Sequence, residues 1–138
     1  MVLAVLEARC GVSISGHDIY LIVAGGLRIT EPAADLAVAA ALVSSITDVP
    51  VPQEMVVFGE IGLSGEVRRV SQSGARLKEA EKLGFHGAIT PKAHLGSSQK
   101  NKEISSSLNV IRIKHLEQLL NYIRIEGEKK LPKNEITN

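Results

Sequence analysis

The 138-residue chain has the composition of a globular protein, with 44% hydrophobic and 22% charged residues and a formal net charge of only +1. This length predicts one domain that can bury a core without staples. The small net charge excludes a strong overall attraction to nucleic acid or membrane, so a basic binding face has to be local. Aromatic residues make up 3%, which argues against a base-stacking platform for single strands. The single cysteine, Cys10, is typical of a reducing compartment.

The first third of the chain predicts a helix, a strand and a second helix. Residues 1–9 read as the end of an amphipathic helix that stops at Gly11, and this run is too short to span a membrane. Because a domain that begins inside a helix is incomplete, we expect that its N-terminal part is missing. The apolar run Asp18–Leu27 predicts a strand covered on both faces. Pro32 opens a helix over Ala33–Ile46, which is apolar nearly all round and should therefore be buried.

The stretch 56–70 predicts the centre of the domain. Val56, Val57 and Phe58 favour a buried strand, which ends at Gly59. Leu63–Gly65 predicts a tight reversal, because glycine tolerates the positive φ that hairpin turns require. Glu66–Val70 then alternates charged and apolar residues, as a half-buried return strand does.

The rest of the chain predicts two consecutive strands between two helices. In order, the elements are a loop at Ser71–Gly74, a helix at Ala75–Leu83 closed by Gly84, a strand at Gly87–Thr90 ended by Pro91, a surface loop at His94–Ser107, a strand at Leu108–Ile113 and an amphipathic helix at His115–Ile125. Leu77, Ala80 and Leu83 should mark the inner side of the first helix. We expect residues 1–125 to form one domain and residues 126–138 to be a charged, disordered tail.

No metal or cofactor motif is present in the sequence. The four histidines, at 17, 86, 94 and 115, are scattered, and Cys10 has no cysteine partner. No phosphate-binding G-x-x-x-x-G-K-[ST] loop occurs. We therefore expect no metal and no cofactor in this domain.

The hairpin Gly59–Gly65 (GEIGLSG), followed by a helix and by Ala88–Pro91, resembles the proteolytic domain of the Lon family. This resemblance implies a Lon-like α/β (α+β) fold, in which a mixed sheet packs with helices. It also implies a serine nucleophile and a lysine base. When the family pattern is carried across without gaps, these two positions fall on Ala33 and Gly74, so the resemblance implies a fold without catalytic residues. A residual serine-type peptidase stays open as an alternative, because Ser71, Ser73 and Lys78 lie nearby in sequence.

A wider set of motifs is similar to the C-terminal domain of the RadA (Sms) family of bacterial DNA repair proteins. The matching segments are Leu3–Glu7, Val23–Gly26, Ala33–Ala37, Phe58–Arg68, Arg76–Ala80, Gly84–Phe85 and Ala88–Lys92. Arg69 departs from the pattern, which often has proline there. A runner-up resemblance is the Lon-like part of magnesium-chelatase-related ATPases, whose pattern fits the helix Arg76–Ala80 less well.

The RadA resemblance implies part of a cytoplasmic recombination ATPase that promotes DNA branch migration as a hexameric ring. It places ATP, magnesium and zinc in missing upstream parts. The implied partners are other copies of the same chain, DNA and, through the parent protein, a RecA-type recombinase, with no membrane.

Five cations close together in sequence predict a DNA contact: Arg68, Arg69, Arg76, Lys78 and Lys82. The alternative is a solvated helix face, because Glu66, Glu79 and Glu81 alternate with these cations and nearly cancel their charge.

Overall fold

The computed structural model describes residues 2–11, 31–92 and 107–130. The predicted strand Asp18–Leu27 and nearly all of the predicted loop His94–Ser107 lie outside these ranges. The described elements, in chain order, are α1 (Val2–Cys10), a 3₁₀ turn (Pro32–Ala34), α2 (Asp35–Thr47), β1 (Met55–Val57), β2 (Glu60–Ile61), β3 (Val67–Arg68), α3 (Ser73–Lys82), β4 (Gly87–Pro91), β5 (Asn109–Ile113) and α4 (Leu116–Lys130).

The strands form a parallel sheet and a separate hairpin. The parallel sheet has the order β1-β4-β5, and every residue of the central strand β4 is buried. The hairpin pairs β2 with β3 in antiparallel register, with Glu60 opposite Arg68 and Ile61 opposite Val67. The predicted α/β fold is thereby confirmed. The apolar run at 56–58 pairs with β4 rather than with the return strand, whose partner is the two-residue strand β2.

The buried helix α2 forms the centre of the larger apolar core. Leu36, Ala39 and Val43 are at most 1% exposed, and α2 packs against α1, α4, β1 and β2. The prediction of an apolar helix covered on several sides is confirmed. Complete burial of a leucine side chain such as that of Leu36 stabilises a fold by about 1.5–3 kcal/mol.

Helix α3 covers the other side of the parallel sheet through a smaller apolar cluster. Leu77 and Ala80 are buried there with Phe58 and Ala88. The predicted inner position of Leu83 is wrong, because this side chain is 67% exposed. Steps of three residues fall short of a 3.6-residue turn, so Leu83 lies about 120° around the helix from Leu77.

The ends of the helices follow the predicted glycine signals at two places. Helix α1 is followed by Gly11 at φ +64°, and α3 is followed by Gly84 at φ +87°. Beyond Gly84, the Phe85 amide donates to the Ala80 carbonyl at 3.0 Å, which satisfies a free carbonyl of the last turn. The loop predicted at Ser71–Gly74 is shorter than expected, because α3 already begins at Ser73.

Helix α4 continues to Lys130, five residues beyond its predicted end at Ile125. The predicted tail from residue 126 is therefore corrected for residues 126–130, while residues 131–138 lie outside the described ranges. Two ion pairs at helical spacing accompany the extension: Lys129 with Glu126 at 2.7 Å and Arg124 with Glu128 at 3.8 Å. Charged residues that look like a tail by composition can thus continue an amphipathic helix.

Candidate nucleic-acid interface

The hairpin is fixed at its base to the beginning of α2. A carboxylate oxygen of Asp35 accepts a hydrogen bond from the Ile61 amide at 3.2 Å. The Gly59 amide donates to the Ala33 carbonyl at 2.8 Å, and the Leu36 amide donates to the Gly59 carbonyl at 3.0 Å. These bonds satisfy backbone groups that a helix start otherwise leaves free. Because the bond from Asp35 crosses 26 residues, no local sequence signal could have predicted it.

The tip of the hairpin is fixed to the beginning of α4. The Leu116 amide donates to the Gly65 carbonyl at 2.8 Å. The Glu117 amide donates to Nδ1 of His115, so the ring proton of the neutral imidazole is on Nε2, which donates to the Ser64 carbonyl at 3.0 Å. A Cβ atom on Gly65 would lie 2.9 Å from the His115 ring, and Gly65 has φ +84°. The predicted need for glycine in this turn is confirmed, and the tight packing adds a second reason for it.

Arg68, on the return strand, is paired with an acid. Its Nη2 and Nε atoms donate to Oε1 of Glu66 at 2.7 and 3.1 Å, and Glu60 lies opposite it in the hairpin. Hydrogen bonds from the backbone amide of Glu66 and from the Arg68 side chain lower the pKa of the Glu66 carboxyl and outweigh its desolvation. The next residue, Arg69, is exposed.

Arg76 is also engaged in structure. Its guanidinium lies 5.8 Å from the centroid of the Phe58 ring, and Nη2 is 3.3 Å from a carboxylate oxygen of Glu31. Its Nε atom donates to the Ser71 carbonyl at 3.1 Å. Arg76 thus joins the first turn of α3 to the segment before α2, and sequence reasoning missed both Glu31 and Phe58 as its partners.

Lys78 and Lys82, which are exposed like Arg68 and Arg69, lie on the outer side of α3. They lie one turn apart on the side of α3 away from Leu77 and Ala80, and within the described ranges neither has an acidic partner. Because two residues correspond to about 200° of rotation, Arg76 and Lys78 are on different sides of α3. The structure therefore does not bring the five cations together on one surface.

The two positions that the Lon resemblance assigns to catalysis lie in different environments. Ala33 is 2% exposed and lies in the 3₁₀ turn, whereas Gly74 lies in the first turn of α3. The Ser73 hydroxyl donates to the Val70 carbonyl at 3.2 Å, so its partner is a backbone oxygen. Within residues 2–11, 31–92 and 107–130, no group of three acidic, histidine or cysteine side chains could hold a metal ion. No helix in these ranges is long and apolar enough to cross a membrane.

The fold and the site define an α/β domain in which a hairpin is anchored between helices. The chain belongs to the family whose model is described as subunit ChlI of Mg-chelatase, which it matches over residues 2–94. The matched range includes the helix Arg76–Ala80.

Relatives confirm the resemblance to the RadA family. The chain is 64% identical to the DNA repair protein RadA of Brucella abortus over 91 residues, which are 66% of this chain and 20% of that relative. It is 59% identical to RadA of Synechocystis over 95 residues, 69% of this chain and 19% of the relative. It is 47% identical to RadA of Pseudomonas aeruginosa over 120 residues, 87% of this chain and 25% of the relative. The chain therefore spans about a fifth to a quarter of the length of these relatives.

Proposed function

We propose that the chain is the non-proteolytic Lon-like domain of a RadA-type DNA recombination and repair ATPase. In this role it is a scaffold that packs subunits into a ring, and it contacts DNA through exposed cations. The observation that carries the scaffold role is the fixation of the hairpin at both ends, to α2 through Asp35 and to α4 through His115. A hairpin held in this way presents a rigid tip, on which Leu63 is 71% exposed.

The scaffold role is tested by the mass of the chain in solution. Light scattering over a range of concentrations should show self-association that weakens in Leu63→Asp and persists in the control Leu83→Asp, whose leucine is exposed on α3. A chain that stays monomeric at every concentration, while its parent protein forms a ring, would contradict a scaffold role for this domain.

The absence of proteolysis is proposed from the chemistry of two positions. Acyl transfer needs a nucleophile beside a base. Ala33 has no oxygen that could attack, and Gly74 has no amine that could accept a proton. We therefore expect no hydrolysis of an unfolded protein substrate. Hydrolysis that disappears in Ser73→Ala or Ser71→Ala would instead support the residual peptidase.

The proposed DNA contact is supported by exposed cations that have no acidic partner among residues 2–11, 31–92 and 107–130. Arg68 and Arg76 are held by Glu66 and Glu31, whereas Lys78 and Lys82 point away from the core. Binding to phosphates should be independent of sequence and should weaken as salt is raised. Anisotropy of a labelled duplex at low and moderate salt measures this contact, and a chain that binds no duplex at low salt would remove it.

The remaining roles belong to the parent protein in this proposal. Other parts of the parent protein would bind ATP, magnesium and zinc, and they would also contact a RecA-type recombinase. The parent protein would be located in the cytoplasm. The family model for the Mg-chelatase subunit keeps a chelatase-type ATPase as the alternative parent. The relatives called DNA repair protein, at 47–64% identity, favour the first.

A further inference from the structure

Three exposed cations that sequence reasoning left out lie at the carboxyl ends of β4 and β5: Lys92, Arg112 and Lys114. The two strands are parallel, with Thr90 opposite Arg112. The Lys92 amide donates to the Ile113 carbonyl at 2.8 Å, which continues the ladder by one residue and brings Lys92 beside Lys114. The cations are therefore neighbours in space although 20 residues separate the first from the second.

The three side chains belong to the same face of the sheet. Side chains along a strand alternate between faces, and Ala88 and Val110 belong to the apolar cluster under α3. Residues two positions apart share a face, so Arg112 lies on the same side as Val110. The same alternation, continued one residue beyond each strand, puts Lys92 and Lys114 on that side too. Neighbouring strands are about 4.8 Å apart and alternate residues of one strand about 6.7 Å apart. The three backbone positions therefore fit within the span of a few nucleotides.

Ion pairs among the described residues do not include any of these three cations. The adjoining hairpin, whose Val67 amide donates to the Lys114 carbonyl at 2.8 Å, carries the self-compensating pair Arg68–Glu66. Like charges opposite each other on neighbouring strands are destabilising. A bound polyanion would relieve this repulsion.

We propose that Lys92, Arg112 and Lys114 form a phosphate-binding edge that holds the backbone of duplex DNA. This inference rests on the DNA contact proposed above and adds to Lys78 and Lys82 a second group of cations that binds the duplex. Lys92 and Arg112 extend directly from hydrogen-bonded backbone, so the sheet sets the spacing between them. Contacts of this kind recognise charge and spacing and do not read the bases.

The test is a salt titration of binding to a short labelled duplex. The neutral variant Lys92→Gln/Arg112→Gln/Lys114→Gln is compared with the charge-preserving control Lys92→Arg/Arg112→Lys/Lys114→Arg. Between about 50 and 200 mM salt, the negative slope of log affinity against log salt should become smaller in magnitude by about 3 in the neutral variant. Its affinity at low salt should fall at least about tenfold. The control should keep the slope, and two unrelated duplex sequences should give the same result.

Each other outcome has a distinct meaning. If the wild-type chain binds duplex and the neutral variant keeps its slope, the phosphate-binding edge is wrong and the proposed DNA contact stands. If the wild-type chain binds no duplex, both are wrong. A neutral variant that aggregates with an unchanged slope would assign the cations to protecting the edge strand β5, which also overturns the inference. Displacement of the duplex by low concentrations of inorganic triphosphate would indicate a small-phosphate site and contradict backbone binding.

Thermal unfolding of each variant shows whether it is folded. If the triple variant does not fold, the double variant Lys92→Gln/Lys114→Gln takes its place. This variant keeps Arg112, and the magnitude of its salt slope should decrease by about 2. An unchanged slope in this double variant overturns the inference equally.

Discussion

The hairpin region and the outer surface of α3 both carry basic side chains, but these side chains differ in what they contact. In the hairpin and at the start of α3, Arg68 and Arg76 are held by carboxylates, a ring and a backbone carbonyl. On the outer side of α3, Lys78 and Lys82 have no acidic partner among the residues that the structure describes. Closeness in sequence therefore does not show which cations are available to bind. The fold adds which of these cations have acidic partners.

The sharpest way to test the structural character of the hairpin region is to remove a side chain beneath it. Leu36 is fully buried at the start of α2, and Leu36→Ala should lower the free energy of unfolding by about 2–5 kcal/mol, from lost burial and the cavity left behind. Leu83→Ala, on the exposed side of α3, should change it by less than about 0.5 kcal/mol. Chemical denaturation measures both values. Equal effects would contradict the contrast between the two regions.

A second comparison uses two glycines with the same backbone conformation. Gly65 and Gly84 have φ of +84° and +87°, but only the hairpin glycine has a neighbour, His115, at the position of a Cβ atom. Gly84→Ala should cost about 1–2 kcal/mol for the left-handed conformation alone. Gly65→Ala should cost about 1 kcal/mol more, because the ring must move. Unfolding curves of the two variants give the difference, and a larger loss in Gly84→Ala would show that the hairpin tip is not tightly packed.

The hydrogen bond from Asp35 to the hairpin is expected to have an effect of intermediate size. Asp35→Ala leaves the Ile61 amide without its acceptor and should lower the free energy of unfolding by about 1–3 kcal/mol. Asp35→Asn keeps an acceptor oxygen and should cost less. Amide exchange at Ile61 reports the same bond locally. Exchange as slow in Asp35→Ala as in the wild type would mean that this carboxylate does not hold the hairpin.

The smallest expected effect concerns the pH dependence of the pair Arg68–Glu66. Because the folded state lowers the pKa of Glu66, this group stabilises the fold above the pKa of an unfolded glutamate. That contribution is lost as the pH falls through the lower, folded pKa. The stability difference between the wild type and Glu66→Gln should therefore shrink on acidification, as measured by denaturation at a series of pH values. A difference that grows toward acid pH would reverse the sign of this linkage.

The sequence predicts the local elements of this fold better than the contacts between them. The apolar composition of α2, the glycines after α1 and α3 and the turn at Gly65 are local signals, and the structure confirms them. The hydrogen bonds that the Ile61 amide donates to Asp35 and that His115 donates to the Ser64 carbonyl join residues 26 and 51 positions apart, so no short window of sequence contains either pair.

The candidate interface shows the same limit. The five predicted cations were chosen because they are close in sequence, whereas Lys92 and Arg112 are brought together only by the pairing of β4 with β5. The acid that holds Arg76, Glu31, is 45 residues away. Neither the grouping of cations nor their neutralisation could be predicted without the register of the sheet.

The central claim is that the cations held by acids serve the fold and that the cations without acidic partners serve binding. Salt-dependent anisotropy of a labelled duplex tests it most directly, with Arg68→Gln/Arg76→Gln compared with Lys78→Gln/Lys82→Gln. We expect the first pair of changes to leave the slope of log affinity against log salt unchanged. The second pair of changes should reduce the magnitude of this negative slope by about 2. A reduced slope magnitude after loss of Arg68 and Arg76, together with an unchanged slope after loss of Lys78 and Lys82, would contradict this division.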